Sequence, residues 1–432
     1  MSAPATTEKK YLKWYQKLAY GSGDLASNCS YGLVSSFVLL YLTGTLGLDS
    51  AIIGSLMLAS KVLDGISDVI FGTLIDRTHS KLGKARPWML FGQVGVSLCL
   101  FLLFAIPAGS TTMQYIYFFI VYTALNAVFY TANGIAYSSL VALITKNNNE
   151  RVQLGSFRFM FAVVTNIFMG FAVTGMVEKF GSGAAGWRTT ALIFAIVGLV
   201  VNTISCLAVK ELPEEELSDN TCEAAEEGKA VAKEKKHGFA ETTKILIHNK
   251  YYLMILAIYI VYYIMSNLTT GAGVFCATYY WGDGSLLGQF SMMKMFPVII
   301  ALAIAPVLIK KTGSMQKVNF WGYAISSVLG IPMIYFAMQK NISMFLLFMF
   351  IKGVFAGTLS GSLNALIAEA SGYTTRTTGV HMDGMMYSCS SLGVKVGGGI
   401  GTAAVGWLLK LGGFVGTATV QSESAIRMIF NL

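Results

Sequence analysis

The chain has 432 residues, of which 54% are hydrophobic and only 12% are charged, and its mean hydropathy is +0.61. About one-quarter of the residues of a soluble domain are charged, so this composition excludes an ordinary soluble protein and indicates a membrane protein with many spans. The formal net charge of +9 fits basic loops that face anionic lipids. We therefore expect the lipid bilayer, and no nucleic acid, as a partner.

The cysteines and histidines give no sign of disulfide, metal or cofactor chemistry. The six cysteines include no C-x-x-C pair, and the four histidines are far apart along the chain. We also find no pairing of a nucleophile with a base. The sequence therefore predicts neither an enzyme nor a bound cofactor.

Apolar windows predict an all-α protein. A helix needs about 20 apolar residues to cross roughly 30 Å of hydrocarbon. Six such windows lie in the first half, near residues 25–46, 51–75, 88–107, 114–145, 154–177 and 188–209. Five more lie near residues 251–279, 287–309, 319–338, 343–367 and 384–413. Only 19 residues follow Gly413, so we expect about 11 spans and the first turns of a twelfth helix.

A polar segment separates the two sets of windows. Residues 210–250 hold ten of the 22 acidic residues of the chain, which is typical of a solvated linker. The similar stretches "LIDRTHS" and "LIKKTGS" each follow the second window of their half, as in transporters built from repeated bundles. We predict a six-helix bundle at 1–209, a cytoplasmic linker at 210–250 and a second bundle at 251–432, with five spans and the start of a sixth.

Basic residues predict the orientation of the chain. They lie before the first predicted span and in the connections 2–3, 4–5 and 8–9, whereas the connections 1–2, 3–4 and 7–8 contain no Lys or Arg. Because short basic loops stay in the cytoplasm, we expect a cytoplasmic amino terminus in a multi-pass protein of the cell membrane.

Three ionisable residues interrupt the second window, in the stretch "LASKVLDGISDVIFG". Lys61, Asp64 and Asp68 are spaced i, i+3 and i+7, so they share one face of a helix. A charge within a membrane span costs at least a few kcal/mol and indicates a functional site. We therefore expect this face to point into the bundle or a water-filled cavity.

Two carboxylates one turn apart repel each other unless they hold a proton or a cation. Oxygen ligands suit a hard ion such as Na⁺, and Ser67 and Thr131 could add neutral oxygens. The alternative is a static ionic strut, in which both acids pair with Lys61 and nearby arginines.

Four further cations interrupt the later spans, namely Arg158, Lys294, Lys352 and Lys395. Lys395 lies too deep to reach the interface, in the glycine-rich stretch "SLGVKVGGGIG", where a ligand or a helix can approach closely. Lys294 and Lys352 lie within roughly ten residues of the ends of their spans, so we expect their ammonium groups to extend to the outer interface. Tyr, Trp and Asn side chains near the outer ends of spans 1, 4 and 7, Asn267 among them, could bind a sugar or belong to the interfacial belt.

The most specific motif is the run "DGISDVIFGTLIDRTHSKLGKARPW", which joins the paired acids to the loop pattern G-x-x-x-D-R-T-x-S-x-x-G-K-x-R-P. Further motifs are "ERVQLGSFR", "SNLTTGAGVFCATYYWGD" and "AEASGYTTRTTGVHMDG". Through these residues the chain, from Tyr20 to about Gly413, resembles the glycoside-pentoside-hexuronide:cation symporters of the major facilitator superfamily. The resemblance implies two six-helix bundles that carry a sugar with Na⁺ or H⁺ by alternating access.

The resemblance also implies roles for individual residues. Asp64 and Asp68 are similar to the cation-site acids, and would bind Na⁺ in a sodium-coupled protein; Ser67 and Thr131 lie beside them, although Ser67 stands where a family member has asparagine. The residues that would line the sugar cavity are Asn28, Asn133, Arg158, Asn267 and Lys395. The residues of the loop that latches the cytoplasmic ends of the two halves are Asp76, Arg77, Lys84 and Arg86.

The chain departs from the family pattern in its sugar cavity. Asn28 and Gly134 align with two aspartates that hold a sugar in a family member, and Asn133 is one residue away. Because Arg158 and Lys395 are kept, we hypothesise a more positive cavity and an acidic sugar in preference to a neutral one. The alternatives are a non-sugar substrate, such as a lipid-like or sulfonated compound, and a transport-defective or truncated sugar sensor.

Overall fold

The computed structural model describes residues 10–213, 248–378, 388–418 and 421–431, and every regular element in these ranges is a helix. The chain divides into two compact units. The first unit consists mainly of residues 10–169 and 176–213, and the second mainly of residues 248–414 and 421–431. Most of the predicted linker, residues 214–247, lies outside the described part of the chain.

The first unit contains eight helices in its described residues. They are α1 (Trp14–Gly21), α2 (Gly23–Leu40), α3 (Ser50–Asp76), α4 (Arg86–Leu103), α5 (Thr111–Thr123), α6 (Thr131–Ile144), α7 (Asn148–Lys179) and α8 (Gly183–Leu207). Wider π-helical turns extend α2 at Tyr41–Thr45 and join α5 to α6 at Ala124–Tyr130. Such turns occur often at functional sites, and the second of them ends next to Thr131.

The second unit contains seven helices in its described residues. They are α9 (Lys250–Phe275), α10 (Leu286–Thr312), α11 (Met315–Met338), α12 (Ile342–Thr378), α13 (Ser388–Leu392), α14 (Gly398–Leu411) and α15 (Glu423–Asn431). A π-helical turn at Cys276–Tyr280 extends α9, and another at Gly393–Gly397 joins α13 to α14. The short α15 occupies the place where the sequence predicts the first turns of a twelfth helix.

Ten helices in the described ranges are long and apolar enough to cross a membrane. They correspond to every predicted window except the second, which α3 occupies with its three intramembrane charges. Several helices begin at a polar side chain that accepts hydrogen bonds from the first turn, as Asp49 does for α3, Asn147 for α7 and Asn249 for α9. The predicted all-α fold class is confirmed.

The two faces of α3 differ in character. Val62, Ile66 and Ile70 are between 52% and 62% exposed, whereas Asp64 is only 7% exposed. Large exposed apolar side chains are the expected lipid contacts of a membrane helix. The face that carries Asp64 therefore points into the first unit.

Candidate functional site

Asp64 is the centre of a buried polar cluster in the first unit. Its Oδ1 atom accepts a hydrogen bond from the Thr131 hydroxyl at 2.6 Å, and its Oδ2 atom lies 3.4 Å from the Lys61 ammonium. The first partner is neutral and comes from α6, and the second is charged and comes from α3 itself. The structure therefore brings together two of the four residues expected at the cation site, and adds Lys61.

The Thr131 hydroxyl has two candidate acceptors for its single proton. Besides Asp64 Oδ1, the carbonyl oxygen of Asn126 lies 2.9 Å from Thr131 Oγ1, within the π-helical turn. If the proton goes to that carbonyl, a lone pair of the hydroxyl faces the carboxylate, and the arrangement then needs a proton on Asp64 or a cation between the two oxygens. The pair can thus respond to a proton or a metal cation.

Lys61 also lies near an aromatic ring that stacks on a second ring. Its ammonium lies 5.4 Å from the centre of the Tyr31 ring, and Tyr31 stacks on Tyr130 at 5.2 Å. A cation at this distance is attracted by the ring face. The Lys61–Asp64 pair matches part of the ionic strut considered from the sequence, although its 3.4 Å separation leaves space for a shorter carboxylate–cation contact.

The other two residues expected at the cation site are placed differently. The Ser67 hydroxyl donates to the backbone carbonyl of Asp64 at 2.9 Å, so its proton serves α3 and not the carboxylate. Asp68 is half-buried one turn after Asp64 on the same face of α3. Its role at the cation site stays a prediction.

Arg158 forms an ion pair that the sequence analysis overlooked. Its Nε atom donates to Asp24 Oδ2 at 2.6 Å, and its guanidinium lies 4.2 Å from the centre of the Tyr137 ring. The Tyr137 hydroxyl is 3.2 Å from the same oxygen of Asp24. Arg158 therefore is not an uncompensated positive charge, which removes part of the basis for the hypothesis of an acidic sugar.

One face of α2 contacts both the Asp24–Arg158 ion pair and the polar cluster around Asp64. Asp24, Asn28 and Tyr31 are spaced i, i+4 and i+7, which places them on one side of the helix. Asp24 contacts Arg158, Asn28 Oδ1 accepts from Asn166 at 3.0 Å, and Tyr31 faces Lys61. Asn28 thus lies along α2 between the residue that contacts Arg158 and the residue that contacts Lys61.

The side chain of Asn133, in contrast, contacts α4. It is 1% exposed, and its amide donates to Gln93 Oε1 at 3.1 Å, while its own Oδ1 has no hydrogen-bond partner among the described residues. A Cβ atom at Gly134 would have no atom within 4 Å. The space beside α6 is therefore open at Gly134. This is the position that the resemblance aligns with a sugar-binding aspartate of a family member.

The two sugar-site candidates of the second unit lie on different elements. Asn267 packs against α14, where a Cβ atom at Gly398 would lie 3.4 Å from its amide nitrogen, and that nitrogen donates to the carbonyl of Tyr263. Lys395 is half-buried within the π-helical turn that precedes α14. Their part in substrate binding stays a prediction.

Lys294 does not extend to the outer interface as the sequence suggested. Its ammonium donates to the Thr270 hydroxyl at 2.7 Å and lies 3.4 Å from the carbonyl oxygen of Ser266. Both acceptors belong to α9, so the lysine of α10 is held by the neighbouring helix of its own unit.

The latch candidates lie around the connection between α3 and α4. Arg77 is exposed, whereas Arg86 is buried and donates from Nε to the carbonyl of Cys206 at 3.1 Å. The Arg86 side chain thus holds the end of α8 within the first unit and is not available as an exposed latch. The Asp76 side chain lies outside the described part of the chain, and the latch role of Lys84 stays a prediction.

Glu211 also holds the connection between α3 and α4, and the sequence analysis did not predict this contact. Its carboxylate accepts from the backbone amides of Lys84, Ala85 and Arg86 at 2.7, 3.0 and 3.1 Å. These amides are the free donors at the start of α4, where a negative charge is favoured. Residue 211 was counted in the predicted linker, but it is part of the packing of the first unit.

Comparison with known proteins agrees with this architecture. The chain matches the family described as MFS/sugar transport protein over residues 19–432. It is 25% identical to the isoprimeverose transporter of Lactiplantibacillus pentosus, with 99% of this chain and 88% of that protein aligned, and 23% identical to the glucuronide carrier protein homolog of Escherichia coli (strain K12), with 95% and 87% aligned.

A solved structure supports the fold independently. The crystal structure of a D-xylose-proton symporter superimposes with a TM-score of 0.65 over 98% of this chain and 95% of that chain, at 12% sequence identity. An identity this low carries the major facilitator fold alone. The family match establishes that this chain belongs to the MFS/sugar transport protein family, and with its ten long apolar helices it is a polytopic membrane protein similar to the glycoside-pentoside-hexuronide:cation symporters.

Proposed function

We propose that the protein is a secondary active transporter of the cell membrane that carries a sugar together with Na⁺ or H⁺ by alternating access. The single observation that supports this best is the buried Asp64 carboxylate between a hydroxyl and an ammonium. A carboxylate in such a place can accept a proton or coordinate a cation. The amino terminus would face the cytoplasm, since the basic connections adjoin it.

In this proposal the coupling ion replaces the Lys61 ammonium as the partner of Asp64. In the absence of a coupling ion its ammonium partly neutralises Asp64 at 3.4 Å. A Na⁺ ion or a proton that binds to Asp64 takes over this neutralisation and releases the ammonium towards Tyr31, whose ring lies 5.4 Å away. Tyr31 is on the same face of α2 as Asn28, so ion binding would alter the helix that carries the candidate sugar residues.

Coupling then follows from differential affinity. A ligand shifts a conformational equilibrium only when it binds one state better than the other. If the cation and the sugar both favour the same state, each raises the affinity for the other by the same factor. Asp24, Asn28 and Arg158 would contact the sugar, while Asp64, Asp68 and Thr131 would hold the cation.

The names of two relatives indicate which sugars to test. One is named an isoprimeverose transporter and another a glucuronide carrier protein homolog, so glycosides with and without a carboxylate are both test substrates. A non-sugar substrate, or a sensor that binds a sugar without moving it, remains the alternative.

The test is uptake by the full chain in proteoliposomes under an imposed Na⁺ or H⁺ gradient. We expect one gradient to drive accumulation of a labelled glycoside, and Asp64→Asn and Asp68→Asn to abolish accumulation. Glu178→Gln is the matched control, because Glu178 is an exposed acid near the end of α7. Full accumulation by both aspartate variants would refute the cation site, and binding without uptake by the unmodified protein would favour the sensor.

A further inference from the structure

Lys294 holds its charge against neutral groups. Its ammonium has three N–H donors, and in the described part of the chain its acceptors are the Thr270 hydroxyl at 2.7 Å and the carbonyl of Ser266 at 3.4 Å. Neither acceptor carries a charge. Because both come from α9, they fix the ammonium in place without neutralising it.

Within the described residues 250–411, each acid is engaged by a group other than Lys294. Among the described residues from 250 to 411 the only acids are Asp283 and Glu369. Asp283 lies in the connection before α10 and is engaged by the backbone amide of Ser285 at 2.9 Å. Glu369 accepts from Gln316 at 2.7 Å, beyond the carboxyl end of α10. Lys294 lies 18 residues before Thr312, about 27 Å along the helix from that end.

The depth of Lys294 makes its charge costly. It follows Leu286, the first residue of α10, by eight residues, which corresponds to about 12 Å along the helix. A charge at such a depth usually has a partner or serves a function. The side chain is half-buried, as are those of Ser266 and Thr270, so the packing of α9 and α10 does not fully enclose this group.

We propose that Lys294 is an anion-binding residue that contacts the carboxylate of an acidic sugar. This inference rests on the proposed sugar transport and specifies its substrate class. A carboxylate would accept a short, charge-assisted hydrogen bond from the third N–H donor, while Thr270 and Ser266 hold the other two. A lipid phosphate could offer similar chemistry, but it would have to leave the headgroup layer to meet a residue at this depth.

The test compares two probes that differ only at C6 of the sugar, 4-nitrophenyl β-D-glucuronide and 4-nitrophenyl β-D-glucoside. Binding to the purified full chain is measured by calorimetry in nanodiscs of zwitterionic lipid. We expect Lys294→Met to weaken glucuronide binding by about 10- to 100-fold, the effect of losing one charge-assisted hydrogen bond, and to change glucoside binding less than about threefold. Lys294→Arg should restore most of the affinity, since it keeps the charge.

Lys352→Met is the matched control, because it removes another intramembrane lysine from the same unit, on α12. The proposal would be overturned if Lys294→Met weakened binding of both probes equally or of neither. It would also be overturned if Lys352→Met selectively weakened glucuronide binding. If added anionic lipid competes with the glucuronide in the unmodified protein but not in Lys294→Met, the site binds lipid phosphate and the proposal fails. Gradient-driven uptake of the neutral probe alone would leave the proposed transport intact and remove only the acidic substrate class.

Discussion

Two cations of the first unit and Lys294 of the second unit have partners of opposite character. In the first unit, Lys61 and Arg158 each lie against a carboxylate, from Asp64 and Asp24. In the second unit, Lys294 is held by a hydroxyl and a carbonyl oxygen. A paired cation must give up its partner before a ligand can replace it, whereas a cation held by neutral groups can bind an anion directly. Under the two proposals above, we therefore expect Asp64 to respond to cations and Lys294 to recognise negative charge.

The test with the largest expected effect removes one partner of the ion pair between α2 and α7. Asp24→Asn leaves the Arg158 guanidinium without its carboxylate, and breaking a largely buried pair typically costs about 3 kcal/mol. We expect a corresponding loss in the free energy of unfolding, measured by denaturant titration of the purified protein.

The double variant Asp24→Asn with Arg158→Gln serves as the control for this loss. Because neither charge then remains, we expect it to recover a large part of the stability, as in a double-mutant cycle between contacting residues. Arg158→Gln alone completes the cycle, and a loss in the double variant equal to the sum of the losses in Asp24→Asn and Arg158→Gln would contradict an energetic coupling between Asp24 and Arg158.

A second test places a carboxylate beside a cation of the second unit, as found in the first unit. Thr270→Asp places a carboxylate beside the Lys294 ammonium, where the native hydroxyl lies at 2.7 Å. An internal carboxylate would compete with an acidic ligand, so we expect the affinity for 4-nitrophenyl β-D-glucuronide to fall by about 2 kcal/mol, roughly 30-fold. Thr270→Ser keeps the hydroxyl and should retain the affinity; unchanged binding by Thr270→Asp would argue against an anion site at Lys294.

The smallest expected effect concerns the neutral ligand of the cation cluster. Thr131→Val removes the hydroxyl 2.6 Å from Asp64 but keeps the shape of the side chain. The net loss of one hydrogen bond is about 1 kcal/mol, so the cation concentration for half-maximal uptake should rise roughly fivefold. Thr131→Ser should behave like the unmodified protein. An equal cation response in all three proteins would remove Thr131 from the site.

Much of the helical framework could be predicted from hydrophobicity alone. The predicted window 319–338 lies within α11 at Met315–Met338 and ends at the same residue, because membrane spans are long and their apolar runs are unmistakable. The spacing of Lys61, Asp64 and Asp68 also placed them on one face correctly. The fold class and the buried Asp64 therefore followed from local pattern.

The missed residues depend on contacts that are distant in sequence. Asp24 lies one residue before the predicted window 25–46 and was given no role, although it pairs with Arg158, 134 residues away. An acid at the start of an apolar run could have served as a signal. The π-helical turn before Thr131 has no pattern in residue type, and the bond from Lys294 to Thr270 depends on how α9 and α10 pack.

Glu211 has a practical consequence for separating the protein into two chains. A break between Pro213 and His248 would leave in the first chain the carboxylate that accepts from three amides at the start of α4. It would also preserve the hydrogen bond from the amide of Leu212 to the carbonyl of Leu143 at 2.8 Å. A break before residue 211 would remove both contacts from the first chain, so co-expressed halves of this protein should be divided after Pro213.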